Sequence, residues 1–260
     1  MTICISAIST CEQNGKKEES LVFSTDHMIS VGELGQFEKE IKKYKVINNS
    51  IIAMLSGQTL LFNRALKDTQ SIHEFHLVRD KIQQNLVYMR KDIIKKEIHD
   101  LFGIDENYVK ELLKGEIKNP FIQNILQTIS EFNLKTSILL VGFDEKCEAQ
   151  ICEINESGYS DYRDIHFHAI GSGSIQALNT LLFQNHAKKH DLKTTIYNVY
   201  KAKRNAEVAN GVGRETEVLI LKKGMGLATL TEEQLNILDR IYQEELKFGI
   251  KHKDLNNLLT

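Results

Sequence analysis

Thr2 is the residue whose type and position most directly suggest chemistry. It lies in the opening segment MTICISAI, a run of strand-forming residues. Met1 precedes a small residue, so its removal would leave Thr2 with a hydroxyl and a free α-amino group. An α-amino group has a pKa of roughly 8, close to the value useful for a general base at neutral pH. Thr2 is therefore a candidate nucleophile activated by its own amine, although a threonine also suits an edge strand.

Other reactive residue types have weaker chemical interpretations. Cys4 follows on the same strand face as Thr2, either as a second nucleophile or, as we favour, as a small core residue. His73 and His76 share a helical face as metal ligands do, but without an HExxH pattern we predict solvated histidines and no metal site. The GSGS run at residues 171–174 lacks the lysine of a phosphate-binding loop and indicates a strand-to-helix turn. We expect no cofactor.

The composition limits the class of protein. The formal net charge of −2 gives no sign of nucleic-acid binding, and no apolar run is long enough to span a bilayer. The four cysteines form no CxxC pair, and the sequence lacks an export signal, so we expect reduced thiols in a cytoplasmic protein. One proline and the lack of a Pro/Gly/Ser-rich linker predict a single domain over residues 1–260.

Hydrophobic periodicity divides the chain into alternating blocks of strands and helices. Strands are expected at residues 1–8, 21–25, 42–47, 51–55, 135–143, 149–154, 165–170 and 218–221. Helices are expected twice within residues 60–93, once within 103–120, and at 121–132, 175–186, 194–209 and 232–247. The first four strands, with a hairpin at Asn14-Gly15, predict one antiparallel meander. The order predicts an α+β fold in which two antiparallel sheets pack together with helices outside, rather than a parallel Rossmann sheet.

Four later segments match motifs of one family in the same order. They are LVFSTDHM (residues 21–28), KKYKVINNSIIAMLSGQT (42–59), HAIGSGSIQALNTLL (168–182) and EVANG (207–211). With a threonine heading the first strand, the set resembles the β-type proteasome subunits and the HslV peptidase. The resemblance implies the four-layer αββα sandwich of the N-terminal-nucleophile (Ntn) hydrolases, with a helical insertion around residues 100–120.

The resemblance also implies roles for individual residues. Thr2 would be the nucleophile, with Asp26 and Lys43 as its buried charge partners. Among the remaining implied catalytic residues, Gly57 would be the oxyanion donor, Ser172 would lie beside the terminal amine, and Glu207 and Asn210 stand where the family has Asp and Ser. The implied substrate contacts are Leu55, at the floor of the specificity pocket, and Thr59. Without the resemblance, Asp26 is a turn acid, Lys43 belongs to a solvated lysine cluster, and Gly57 is a turn glycine.

These implied roles predict a threonine-type peptidase or amidohydrolase. Two alternatives remain open: a catalytically silent scaffold or regulatory subunit, and an acyl-transferring enzyme of the same fold. The expected partners are a peptide or protein substrate, further copies of the chain in a ring or stack, and an unfoldase ATPase, with no nucleic acid or membrane. Assembly would use apolar helical residues such as Leu60, Leu61, Ala65 and Leu66.

Overall fold

A computed structural model describes most of the chain as a mixed α+β structure. The described residues are 2–13, 16–30, 36–38, 42–103, 106–112, 114 and 120–247. Met1 and the predicted Asn14-Gly15 turn lie outside them. Among the described residues, no helix combines the length and the apolar character needed to cross a membrane.

Most of the strands pair within two antiparallel sheets. In chain order the strands are β1 (Ile3–Gln13), β2 (Lys16–Asp26), β3 (Met28–Ser30), β4 (Gln36–Glu38), β5 (Tyr44–Asn48), β6 (Ile51–Ser56), β7 (Ser137–Phe143), β8 (Ala149–Asn155), β9 (Gly158–Asp161), β10 (Phe167–Gly171), β11 (Thr216–Lys222) and β12 (Gly226–Thr229). Within the described parts of the chain, the first sheet has the order β10-β1-β2-β11-β12 and the second the order β5-β6-β7-β8-β9. Strands β3 and β4 form a separate pair.

Helices fall between these strands and after the last of them. They are α1 (Phe62–Ala65), α2 (Phe75–Ile94), α3 (Asp100–Phe102), α4 (Glu106–Leu112), α5 (Pro120–Glu131), α6 (Ser174–Phe183), α7 (Leu192–Ala206) and α8 (Glu232–Lys247). A π-helical stretch, Lys95–His99, joins α2 to α3. The predicted insertion region contains α3 and α4, and α4 packs with α5 around a small apolar cluster that includes Ile98 and Ile125.

Alternation along the strands explains the layers. In β1, Ile3, Ile5 and Ala7 face a cluster shared with α6, α7 and α8, while Cys4 and Ile8 face a cluster shared with the second sheet. Successive strand residues point to opposite faces, so each strand contributes to two cores. The second sheet packs its other face against α1 and α2. These contacts are compatible with a sandwich of two sheets with helices outside.

The predicted meander of the first four strands is wrong. The hairpin β1–β2 pairs with the distant strands β10 and β11, whereas the hairpin β5–β6 belongs to the second sheet and pairs with β7. Both hairpins carry apolar residues on two faces, so each is buried by stacking on the other sheet instead of lying beside its neighbour in sequence. Local periodicity does not encode that choice of partner strand.

The apolar helical residues expected at an assembly surface are mostly internal. Leu61, Ala65 and Leu66 lie in the core between the second sheet and α2, and only Leu60 among the four is exposed. Their helical spacing therefore reflects packing within the subunit. They give no support to the expected ring or stack.

Candidate active site

Thr2, Asp26 and Lys43 meet at the ends of three strands. Thr2 precedes β1, and Asp26 is the last residue of β2, which pairs antiparallel with β1. The two residues therefore lie at the open end of the same hairpin. Lys43 immediately precedes β5 of the second sheet and reaches across to them. The site thus depends on the stacking of the two sheets.

The Asp26 carboxylate connects these side chains. Its Oδ1 accepts hydrogen bonds from Thr2 Oγ1 at 2.5 Å, from Lys43 Nζ at 2.7 Å and from the Ile3 backbone N–H at 3.1 Å. Lys43 Nζ also donates to the Thr2 hydroxyl. An ammonium group therefore contacts both the hydroxyl and the carboxylate, as is needed to stabilise negative charge on the hydroxyl oxygen.

The three side chains are almost completely removed from solvent. Thr2 is 3% exposed, Asp26 0% and Lys43 6%. The other Asp26 oxygen, Oδ2, accepts the Gly213 N–H at 2.8 Å and the Met28 N–H at 3.4 Å. A buried carboxylate is costly unless it is paired and hydrogen-bonded, and Asp26 meets both conditions. The solvated-lysine interpretation of Lys43 does not fit this burial.

The end of β10 closes the site around the Thr2 backbone. Gly171 has a φ of +110°, and a Cβ atom there would lie 2.1 Å from the Thr2 carbonyl oxygen. Only glycine permits this approach. The next residue, Ser172, is exposed, and its hydroxyl donates to the same carbonyl at 3.4 Å. Ser172 therefore contacts Thr2 through its carbonyl, and the expected contact with the terminal amine stays a prediction.

Gly57 follows β6 close to this site. A Cβ atom at Gly57 would lie 2.1 Å from the Lys135 carbonyl oxygen, so the position requires glycine for packing. The preceding residue, Ser56, borders Gly171, because its Oγ lies 3.3 Å from the position of a Cβ on that glycine. The strand end that carries Gly57 thus lies beside the same glycine that contacts the Thr2 carbonyl.

The two residues expected to contact substrate lie in different environments. Leu55 is 2% exposed and packs in the core between the second sheet and α2. Thr59 is exposed at the start of a short 3₁₀ turn, Thr59–Leu61. Thr59 is accessible to a ligand, whereas the Leu55 side chain contributes to the core.

Glu207 and Asn210 follow the end of α7. The Glu207 carboxylate accepts hydrogen bonds from Lys203 Nζ at 2.7 Å and from Arg204 Nη1 at 3.2 Å. Asn210 is exposed in the following turn. This turn reaches the site through the backbone of Gly213, which donates to Asp26. The contact with Asp26 thus comes from Gly213, which lies outside the four motif segments of the sequence.

Cys4 is a core residue. Its thiol lies 3.4 Å from the Leu55 carbonyl oxygen, in the cluster between the sheets. Burial raises the pKa of the Cys4 thiol, while the charges of Lys43 and Asp26 act more weakly and in opposite directions. A nucleophilic cysteine needs thiolate character, so this environment disfavours Cys4 as the nucleophile.

The histidine pair considered for metal binding is not on one helical face. His73 lies before α2, which begins at Phe75, and His76 lies in the first turn. His76 Nδ1 faces Glu145 at 3.2 Å, and Nε2 faces Glu74 at 3.5 Å. The three side chains are exposed and close enough together to hold an ion. Because the carboxylates flank opposite ring nitrogens, we interpret the group as polar contacts at the surface.

Comparison with known proteins does not assign the chain to a family. A scan against protein-family models gives no match, and a search of curated proteins finds no match either. Inference about function therefore rests on the geometry around Thr2 and on the motif resemblance.

Proposed function

We propose that this protein is a threonine-type amidohydrolase with the αββα fold of the Ntn hydrolases, in which Thr2 is the nucleophile after Met1 is removed. The observation that carries the proposal is the buried contact of the Lys43 ammonium with both the Thr2 hydroxyl and the Asp26 carboxylate. The packing of two antiparallel sheets against each other and against outer helices supports the fold.

The reaction begins at the Thr2 hydroxyl. The free α-amine takes the hydroxyl proton, and Oγ1 forms a bond to the carbonyl carbon of a peptide or amide. Lys43 lowers the energy of the negative charge that develops on Oγ1, and Asp26 holds the Lys43 ammonium in place. The Gly57 N–H is the proposed donor to the carbonyl oxygen as it becomes an oxyanion.

Two further steps complete turnover. The tetrahedral intermediate expels the amine, which takes the proton from the Thr2 α-amine, and leaves an ester on Oγ1. The α-amine then takes a proton from water as the water oxygen attacks the ester carbonyl carbon. It returns that proton to Oγ1 as the bond between this carbon and Oγ1 breaks, which releases the carboxylic acid and restores the Thr2 hydroxyl. If a second amine replaced water, the same ester would give acyl transfer.

Peptide hydrolysis by matched variants tests this proposal. With a panel of fluorogenic peptides, Thr2→Ala should abolish turnover, because the attacking oxygen is lost, while Thr2→Ser should retain part of it. Thr229→Ala, at an exposed position on the edge strand β12, is the control and should behave as wild type. Equal turnover by wild type and Thr2→Ala would refute the role of Thr2. No turnover or acylation in protein that lacks Met1 would favour the silent subunit.

A further inference from the structure

Lys203 is a second buried ammonium beside the candidate site. It lies on the buried stripe of α7, four residues after Val199 and three before Ala206, and its side chain is 0% exposed. A lysine is almost never fully buried unless it is paired. Burial lowers the pKa of Lys203, against the opposing effect of the Glu207 carboxylate. Because burying an ammonium group is energetically unfavourable, the contacts of Lys203 should show what it stabilises.

The ammonium of Lys203 holds the turn after α7. Its Nζ donates to Glu207 Oε1 at 2.7 Å, to the Gly213 carbonyl at 2.9 Å and to the Arg214 carbonyl at 2.8 Å. An ammonium group has three protons, so these acceptors use its whole donor capacity. One point charge thus fixes both ends of the segment from 207 to 214.

The same turn fixes the Asp26 carboxylate. The Gly213 carbonyl accepts a hydrogen bond from Lys203, and the Gly213 N–H donates to Asp26 Oδ2 at 2.8 Å. Asp26 Oδ1 then faces Lys43, Thr2 and the Ile3 N–H. We propose that Lys203 is a positioning residue of the Thr2 site, which acts through Gly213 to set the orientation of the Asp26 carboxylate. This role rests on the proposed function of Thr2.

The experiment measures the rate at which a β-lactone acylates Thr2. The variant is Lys203→Met, which keeps the length of the side chain but cannot donate hydrogen bonds. The matched control is Lys201→Met on the same helix, where the ammonium bonds Glu245 near the surface. Intact-mass kinetics at several lactone concentrations, at a temperature where each protein is folded, separate the maximal acylation rate from the apparent dissociation constant of the lactone.

We expect Lys203→Met to lower the maximal acylation rate on the order of 10- to 100-fold, because small misplacements of reacting groups have effects of this size. The apparent dissociation constant of the lactone should stay the same, and Lys201→Met should match wild type. A role in folding alone would leave the maximal rate of the folded variant unchanged.

The outcomes separate the two proposals. If wild type is acylated at Thr2 and Lys203→Met has the same maximal rate, the positioning role is overturned while Thr2 remains the nucleophile. If wild type, with Met1 removed, is not acylated at Thr2, the proposed function fails, and the role of Lys203 fails with it. If Lys203→Met does not fold, Lys203→Gln decides, since its amide has two donors and cannot satisfy all three acceptors of Lys203. A lower maximal rate in folded Lys203→Gln supports the role, and an unchanged rate overturns it.

Discussion

Replacing Lys43 by methionine tests the buried charge pair directly. Methionine preserves the length of the side chain but removes the ammonium that contacts Asp26 and the Thr2 hydroxyl. The Asp26 carboxylate, which is 0% exposed, would then lose the ammonium in direct contact with it. We expect loss of both activity and stability.

The size of the stability loss follows from what remains around Asp26. Removing one partner of a buried ion pair costs about 3–5 kcal/mol. The hydroxyl of Thr2 and the backbone N–H groups of Ile3 and Gly213 still donate to the carboxylate, so we expect about 3 kcal/mol, the lower end of that range. In a domain of about 150–250 residues this corresponds to a melting temperature lower by about 6–12 °C.

Thermal and urea unfolding followed by circular dichroism measure this loss. The control is Lys45→Met, because Lys45 lies two residues further along and is exposed on β5. Its unfolding free energy should stay within about 0.5 kcal/mol of wild type. The double variant Lys43→Met with Asp26→Asn should recover part of the lost stability, since no unpaired charge stays buried, but it should recover no activity.

If Lys43→Met unfolds at the same temperature as Lys45→Met and turns over any substrate normally, Lys43 belongs to a solvated lysine cluster. The proposed activation of Thr2 would then lose its central cation.

Two further predictions concern pH and packing. Burial lowers the pKa of His186 from 6.5 to about 4, so between these values the unfolded chain binds a proton that the folded chain does not. Acidification from pH 7 to pH 4 should therefore lower the free energy of unfolding by about 3 kcal/mol through this residue. In urea unfolding across that range, the free energy of unfolding should depend less steeply on pH in His186→Asn than in wild type. The same pH dependence in both proteins would contradict the assignment. Gly171→Ala should destabilise the protein by about 1–3 kcal/mol and reduce activity, because its Cβ would collide with the Thr2 carbonyl. Gly224→Ala and Gly158→Ala are the controls in the same unfolding and turnover assays, because a Cβ there meets open space at φ values of +72° and +153°, on either side of the +110° at Gly171. Equal losses in all three variants would count against the collision.

The motif resemblance pointed to the three side chains that meet at the centre of the candidate site, although the local signal at each of them is weak. Thr2 heads a strand, Asp26 ends one, and Lys43 precedes one. Their burial and mutual contact did not follow from those signals, since each residue also suits a solvated position. The resemblance supplied the link that local pattern lacked.

Other features depend on contacts between distant segments. Gly213 donates to Asp26, which lies 187 residues earlier in the sequence. Strand β1 pairs with β10, which lies far from it in the sequence. Lys203 offered a signal, a lysine on an apolar stripe with a glutamate four residues later, but that spacing also describes an ordinary surface ion pair. Only the burial of α7 against the first sheet distinguishes the two.

Reaction with a peptide epoxyketone is the most direct test of the claim that Thr2 is an N-terminal nucleophile. The hydroxyl adds to the ketone and the α-amine opens the epoxide, which forms a morpholine ring only when both groups belong to one N-terminal residue. Intact mass followed by peptide mapping should show a protein that lacks Met1 and carries the inhibitor on Thr2. Full retention of Met1 in freshly isolated, active protein, or an adduct on another residue with Thr2 unmodified, would contradict the claim.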